Sequence, residues 1–423
     1  MNVKLLPLLL ATLLFLPGVW MRLVAQEISP LFSVALYGMG FIGAALYLAW
    51  GTELAQLDLP AGVSVAILAF VAILPEYAVD LLFAYDAGRN PEMAPLALAN
   101  MTGANRLLIG GGWSLVVLTG YFGSRKKRKR AENSSKAYAL ALSRRSTVDV
   151  VLLGLISLYT LNFGFRKSVS LWDTLILFSC FGFYAWRLSS APREKPEFIG
   201  PPALICQFAP LWRRLSTLGL ISVAGGVILF LARSFTESLI TAGQAMGVSE
   251  FLMVQWIAPF ATETAEIIPA CIFAYRQRAD QGLGTLLSAK INQWSLLVGG
   301  VPIAYALSTK ALAGLPITVT QDQELLLTAS QSVFAVGLLT DDIRLKAHEA
   351  LMILGIFILD FAASVFVPDD QRFWVRYGFS GIYLLLALYY VFRARGHLSE
   401  LFRNGLLVKI SSLSKTPHEE VKE

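Results

Sequence analysis

Two glutamates, Glu76 and Glu266, occupy the same place in two related stretches of a mostly apolar chain. Residues 70–85 read FVAILPEYAVDLLFAY and residues 260–275 read FATETAEIIPACIFAY. In one register Glu76 falls on Glu266, and Phe83-Ala84-Tyr85 falls on Phe273-Ala274-Tyr275. A carboxylate inside a membrane-length segment costs at least about 2.5–3.5 kcal/mol on insertion scales, so it faces water or a partner. Two such groups brought together repel, and a bound cation, a proton or a neighbouring base must offset that. The chemistry these residues offer is cation binding or proton exchange.

Other polar residues cluster around the pair. Each glutamate segment leads through a short charged loop into a helix rich in small residues, LALANMTGANRLLIGGGW at 96–113 and LLSAKINQWSLLVGG at 286–300. Asn105 pairs with Asn292 once a loop difference of three residues is allowed. Asn100, Asn105 and Asn292 suit either cation ligation or hydrogen bonding between helices. Asp80 lies one turn beyond Glu76, as an accessory ligand or as a group near the outer mouth. Glu263, about a turn before Glu266, is expected in the site. Arg106 follows Asn105, and Lys290 precedes Asn292 by two residues. Each can act as a tethered cation where Na⁺ would otherwise bind, or lie along a helix flank and reach for the interface. Pro75 and Pro269 remove helical hydrogen bonds, so the freed carbonyls can ligate or the helix simply kinks. Arg233 and Glu237 are spaced as an i, i+4 ion pair near the outer end of their span. Asp360 has no assigned role. The Gly110-Gly111-Gly112 run and Gly299-Gly300 read as close helix packing, not as a phosphate loop.

The elements that must position these groups are membrane helices. Of 423 residues 56% are hydrophobic and only 15% charged, against about 25% charged in a soluble domain. Apolar runs long enough to cross about 30 Å of hydrocarbon recur along the chain. The strict alternation of a membrane barrel is absent. The reading is an all-α polytopic membrane protein with roughly 12 spans, near 4–25, 29–50, 60–85, 93–122, 147–165, 170–188, 213–239, 248–275, 283–308, 322–340, 346–366 and 373–393. The expected organisation is an extra helix or signal-like segment at 1–28, a five-helix half at 29–188, a cytoplasmic linker at 189–212, a second five-helix half at 213–366, an extra helix at 367–393 and a cytoplasmic tail at 394–423 that is partly disordered. Lys4, the apolar run Leu5–Leu16 and Ala25 resemble a signal peptide, whereas Pro17 and Leu23 favour a retained helix. Cys180, Cys206 and Cys271 form no CxxC, and no metal-ligand spacing joins His348, His397 and His418.

Charge sets the orientation. The run Arg125-Lys126-Lys127-Arg128-Lys129-Arg130, with Lys136, Arg144 and Arg145, is expected on the cytoplasmic side. Counting from it places the loops near 188–212, 276–282 and 341–346 and the tail inside, and each carries Lys or Arg. Arg166 and Lys167, outside, run against the rule. The net charge of +6 is accounted for by such loops, so no nucleic-acid partner is implied; the expected surroundings are a lipid bilayer, the inner membrane, with the C-terminus cytoplasmic. On this count the loop at 86–92 is outside and that at 276–282 inside, so the repeats are inverted. Inverted repeats characterise secondary transporters whose sites lie at the midplane on the repeat interface.

At these residues the chain resembles the cation/calcium antiporter superfamily, the membrane region of sodium/calcium exchangers. That family's two repeats read roughly G-T-S-x-P-E and then G-N-x-x-G-S-N-x-x-N. The matching residues here are Ala72-Ile73-Leu74-Pro75-Glu76 with Ala99-Asn100-Met101-Thr102-Gly103-Ala104-Asn105, and Ala261-Thr262-Glu263-Thr264-Ala265-Glu266 with Asn292-Gln293-Trp294-Ser295. Ala245-Met246-Gly247-Val248-Ser249 resembles the small-residue entry to the second repeat. The resemblance implies exchange of Ca²⁺ for Na⁺ or H⁺ at a central site, with Glu76 and Glu266 as ion-binding carboxylates and with Thr262 and Ser295 at oxygen-ligand positions. It implies no cofactor, the cation (Ca²⁺, Na⁺ or H⁺) being substrate. Ala72, Ile73, Ala104, Leu108 and Ile291 are apolar where the family commonly carries oxygens, and Glu263 replaces a usual serine. Ca²⁺ takes six to eight oxygens, more than these positions offer. Three functions follow as expectations. The first is a cation antiporter working by alternating access, exchanging a small cation (Ca²⁺ or Na⁺) for Na⁺ or H⁺. The second is a degenerate scaffold or sensor with the same fold. The third, a polytopic enzyme, lacks an HExxH or Ser/His arrangement. The oligomeric state has no sequence signal.

Overall fold

Apolar runs of membrane length fold as helices, because a chain in hydrocarbon must satisfy its own backbone polar groups. The protein is described by a computed structural model covering residues 5–24, 28–58, 71, 73–130, 138–191, 198, 200–368 and 370–413. In chain order the helices are α1 (Leu6–Val24), α2 (Pro30–Ala55), α3 (Leu74–Ala87), α4 (Ala94–Leu107), α5 (Ser114–Arg130), α6 (Thr147–Thr160), α7 (Leu171–Ser189), α8 (Pro210–Met246), α9 (Ala258–Tyr275), α10 (Ala279–Asn292), α11 (Val298–Thr309), α12 (Val319–Leu339), α13 (Ala347–Phe366), α14 (Arg372–Arg393) and α15 (Arg395–Leu406). Short π-helical turns at Leu108–Trp113, Met253–Ile257 and Gln293–Leu297 join or precede several of them.

Among the described residues seven helices are long and apolar enough to cross a membrane, or eight if Glu250–Thr264 and Glu266–Tyr275 count as one span. That is fewer than the expected twelve or so. Of the expected span at 60–85, residues 60–70 and 72 lie outside the described residues, and the rest contains α3, which is too short to be counted. Others are diluted by polar residues, as in α12 with Gln321, Asp322, Gln323, Glu324 and Gln331. The side chains of the basic run 125–130 also lie outside the described residues, as do Lys136 and His418.

The chain divides into two compact units, each drawing on both halves of the sequence. One comprises Met1–Ala104, Arg193–Ala265 and Gly300–Leu315; the other comprises Asn105–Pro192, Glu266–Gly299 and Pro316–Glu423. In the first unit α1, α2 and α8 pack side by side. Small residues let them approach: a Cβ on Gly43 would sit within 2.5 Å of the Ala11 carbonyl, and one on Gly51 within 2.6 Å of Ile221. Phe41 and Phe235 stack between α2 and α8 with centroids 4.9 Å apart. Gly247 ends α8 at φ +65, a conformation that suits glycine. Below α2, Arg213 and Arg214 hold the Asp58 carboxylate at 2.8 and 2.9 Å, and the Arg213 hydrogen bonds lead in lowering its pKa.

In the second unit α12 is buried along nearly its whole length and packs on α6 and α14. Capping boxes start α7, where Ser170 pairs with Asp173, and α12, where Thr318 pairs with Gln321. Arg166, the residue against the charge rule, is tied to Asp173 at 2.6 Å. The strand Ala139–Ala141 pairs antiparallel with Arg344–Lys346. The tail, expected to be partly disordered, is helical over Arg395–Leu406 and again over Ile410–Leu413. α15 packs on α6, and Arg187 donates to the carbonyls of Asn404 and Gly405 at 3.2 Å and of Val408 at 2.6 Å. These carbonyls sit at the end of α15, where an arginine satisfies acceptors the helix leaves open. Residues 414–423 lie outside the described residues.

Candidate cation site

The expected site residues fall in both units, and each group has its own geometry. In the first unit Glu76 stands in the first turn of α3, directly after Pro75. Pro75, the second residue of α3, lies in the first turn, where its missing N–H forfeits no bond within this helix. The positive end of the helix dipole favours a carboxylate there. Glu76 is 1% exposed, and among the described residues its Oε2 has no hydrogen-bond partner.

One turn on, Asp80 is fully buried, which removes the reading that exposed it near the outer mouth. It lies four residues, about one turn, from Glu76 on the same helix. Asn100 Nδ2 donates to Asp80 Oδ1 at 2.8 Å across α3 and α4. Asp80 Oδ2 and Asn100 Oδ1 remain open among the described residues. Asn100 thus makes the interhelical bond and still presents its amide oxygen. On the second repeat Thr262 and Glu263 are buried, with Thr262 Oγ1 also open.

Gln255, which sequence reading passed over, belongs with these oxygens. It sits in the π turn Met253–Ile257, is fully buried, reaches Thr102 Oγ1 from Nε2 at 3.4 Å and leaves Oε1 open. Glu53 on α2 is a second omission, with Oε2 buried and open. Both are polar residues inside apolar runs, which is the signal that could have found them. Buried acceptors without donors are costly unless a proton or cation completes them. Among the described residues no group of three or more His, Cys, Asp or Glu is placed to hold a metal ion; the open oxygens here come from mixed carboxylate, amide and hydroxyl groups.

In the second unit Asn105 is fully buried, and both of its oxygens are taken. Lys290 Nζ donates to Asn105 Oδ1 at 2.7 Å and to Asn105 O at 3.2 Å. Lys290 itself is 0% exposed, with its ammonium 4.9 Å from the centroid of Trp294. It does not reach the interface. Nor does Arg106, also 0% exposed, whose guanidinium meets Glu324 at 2.7 Å and Asp360 at 3.0 Å. Arg376 holds the other Glu324 oxygen at 2.6 Å and Gln323 Oε1 at 3.2 Å. Asp360, left unassigned by sequence, is a counter-ion in this cluster. Asn292 is buried with Oδ1 open, while Ser295 donates to the Ile291 carbonyl. Glu266 is half-buried on α9, whose interior holds Pro269. Arg233 pairs weakly with Glu237 at 3.7 Å and also with Asp86 at 3.4 Å.

Long apolar helices carrying buried carboxylates and amides define a multi-pass membrane protein that handles small cations. The sequence pattern of the sodium/calcium exchanger protein family matches residues 28–189 and 216–366, and the chain belongs to that family. It is therefore a transporter and not an enzyme. It is 35% identical to a chain described as "Crystal Structure of H+/Ca2+ Exchanger CAX", covering 96% of this chain and 98% of that one with a TM-score of 0.86. Native YfkE shares the fold at 14% identity, over 86% of this chain and 100% of that one, with a TM-score of 0.63. The sodium-calcium exchanger NCX_Mj, soaked with 100 mM Na⁺ and 10 mM Sr²⁺, shares it at 15% identity, over 84% and 99%, with a TM-score of 0.52. No curated protein matches the chain.

Proposed function

We propose that this protein is a secondary-active cation antiporter of the inner membrane, exchanging a small cation, Ca²⁺ or Na⁺, for Na⁺ or H⁺. Glu76 and Glu266 form its central carboxylate pair, one from each of two inverted five-helix halves, 29–188 and 213–366. Asn100, Thr262, Glu263, Asn292 and Ser295 supply further oxygens, and Asp80 is an accessory carboxylate; Asn105, whose oxygens Lys290 holds, is left out of this set. Helices outside the halves bring the spans to about twelve, with the C-terminus cytoplasmic.

The observation that carries the reading is Glu76. It is a buried carboxylate with an open oxygen, beside a second buried carboxylate, in a chain of the exchanger family. Such a group needs a cation or a proton. Competition between the two for one carboxylate, with the site facing each side in turn, couples their movements in opposite directions. The 35% identity with an H⁺/Ca²⁺ exchanger, across nearly the whole of both chains, supports a transporter over a scaffold.

The test is flux. Purified protein in proteoliposomes should move ²²Na⁺ or ⁴⁵Ca²⁺ against a proton or sodium gradient. Glu76→Gln and Glu266→Gln should each reduce that flux to background while leaving the protein folded. Flux indifferent to both changes rejects the carboxylate mechanism. Absence of any flux from folded wild type, under all four ion pairings, favours the scaffold.

A further inference from the structure

Gln255 is held so that its amide oxygen points at nothing in the fold. It lies in the π turn Met253–Ile257, is fully buried, and donates from Nε2 to Thr102 Oγ1 on α4 at 3.4 Å. Thr102 decides which end of the amide faces it. Its hydroxyl has one proton, and that proton is committed to the α4 backbone, between the carbonyls of Leu98 at 2.9 Å and Ala99 at 3.0 Å. Only lone pairs are left to face Gln255, and a lone pair selects the amide N–H over the amide oxygen. Oε1 is thereby turned away from Thr102, and among the described residues it meets no donor. A backbone contact fixes the same spot, because a Cβ on Gly103 would overlap the Gln255 carbonyl. A buried acceptor left open costs about 1–3 kcal/mol, so an oxygen held in this way calls for an occupant.

We propose that Gln255 is a cation ligand of this transporter, its Oε1 adding a neutral oxygen to the unit that holds Glu76. The inference rests on the antiporter reading above and adds to it a residue outside both repeat motifs. The neighbours are of the same chemical kind. Asn100 precedes Gly103 by one turn on α4, and its own amide oxygen is open. Asp80, which accepts from Asn100, has Oδ2 open, and Thr262 Oγ1, seven residues after Gln255, is open as well. All of these residues belong with Glu76 to one compact unit, and among the described residues no lysine or arginine of that unit is buried. The positive charge such oxygens call for therefore comes from outside the protein. Amide oxygens are ordinary ligands of Ca²⁺, which takes six to eight, and Gln255 enlarges a set that the motifs alone leave short.

The experiment measures the half-saturating concentrations of ⁴⁵Ca²⁺ and ²²Na⁺ for flux in proteoliposomes, with wild type, Gln255→Leu, Gln255→Glu and Glu76→Gln. Gln255→Leu keeps the bulk and removes the oxygen. It should raise the half-saturating concentration of the cation that wild type carries about tenfold or more, the scale of one contact to a charged group. Gln255→Glu keeps an acceptor oxygen in place and should stay near wild type or saturate at lower concentration. A merely structural glutamine would lower the melting temperature and the maximal flux of Gln255→Leu without moving the half-saturating concentration. That result overturns the inference, and the antiporter reading still stands if Glu76→Gln abolishes flux in the same vesicles. If folded wild type carries neither ion, the antiporter reading fails, and binding judges Gln255 by itself. Melting temperature in detergent should then rise with added CaCl₂ or NaCl more for wild type than for Gln255→Leu, and equal responses overturn the assignment. If Gln255→Leu does not fold, Gln255→Met takes its place in both measurements.

Discussion

Arg106 has its guanidinium shared between carboxylates from two other helices, Glu324 on α12 and Asp360 on α13, with no solvent exposure. A buried ion pair is weak grounds for claiming stability, because desolvation offsets much of the attraction. Breaking one is a different matter, since the remaining charges are left buried and uncompensated. Arg376 would still hold Glu324 after Arg106 is lost, and Asp360 would then be the orphan. Arg106→Met is therefore expected to destabilise the protein by about 3–5 kcal/mol. Adding Asp360→Asn to Arg106→Met should recover a large part of that loss, because the orphaned charge is removed. Thermal unfolding in detergent measures both. If Arg106→Met unfolds like wild type, the cluster does not act as a charge lock. This cluster was not legible in the sequence. Arg106 and Asp360 both stand out as charges inside spans, but their partnership joins positions far apart in the chain, and no local pattern announces such a contact. The same holds for Lys290 and Asn105. Their identities are visible in the sequence and their meeting is not, so sequence offers Arg106 and Lys290 the same two alternatives where the structure gives them different partners.

At the scale of elements, helix identity was readable and helix detail was not. The span read at 170–188 is α7 at Leu171–Ser189, and that read at 346–366 is α13 at Ala347–Phe366. Apolar length fixes such elements, because the cost of exposing backbone to lipid leaves helix as the available form. α15 was missed for the opposite reason: its sequence is polar enough to read as tail, and only packing against α6 accounts for its order. The π turns were also hidden. Each spans i to i+5 in its hydrogen bonds where an α-helix spans i to i+4, a departure frequent at functional sites, and each lies beside site residues: Leu108–Trp113 after Arg106, Met253–Ile257 around Gln255, and Gln293–Leu297 between Asn292 and Val298. The turn at Gln255 is pressed against α4 at Gly103, where an added Cβ would overlap the Gln255 carbonyl. The obstructing atom is backbone, which cannot rotate away. Gly103→Ala should therefore destabilise by more than the about 1–3 kcal/mol of ordinary overpacking. Gly284→Ala is the control, since nothing lies within 4 Å of its added methyl, and removing a helical glycine should stabilise by about 0.5–1 kcal/mol. Comparing the melting temperatures of the two variants checks the argument, and equal effects would refute it.

For the whole molecule, the proposal depends on the two glutamate segments running through the bilayer in opposite directions. Related helices entering from the same side would present Glu76 and Glu266 at equivalent depths on one face of each, as in a parallel duplication. Entering from opposite sides places them about a common midplane, where one cation can be shared between them. The charge pattern that sets this orientation is a property of loops, because Lys and Arg flanking a span resist translocation. It predicts that the loop after Glu76 is outside and the loop after Glu266 inside. Asn90 and Gln281 are exposed positions in or beside those two loops, and Glu400 is an exposed position on α15. In a background with Cys180, Cys206 and Cys271 replaced, Asn90→Cys should react with a membrane-impermeant maleimide on intact cells. Gln281→Cys and Glu400→Cys should react only after the membrane is opened. Pro95 and Ala279 begin or border the following small-residue helices, so the same labelling also fixes the side from which each of those helices starts. If Asn90→Cys and Gln281→Cys are labelled from one and the same side, the repeats are not inverted, and a carboxylate pair shared across the midplane has no geometric basis.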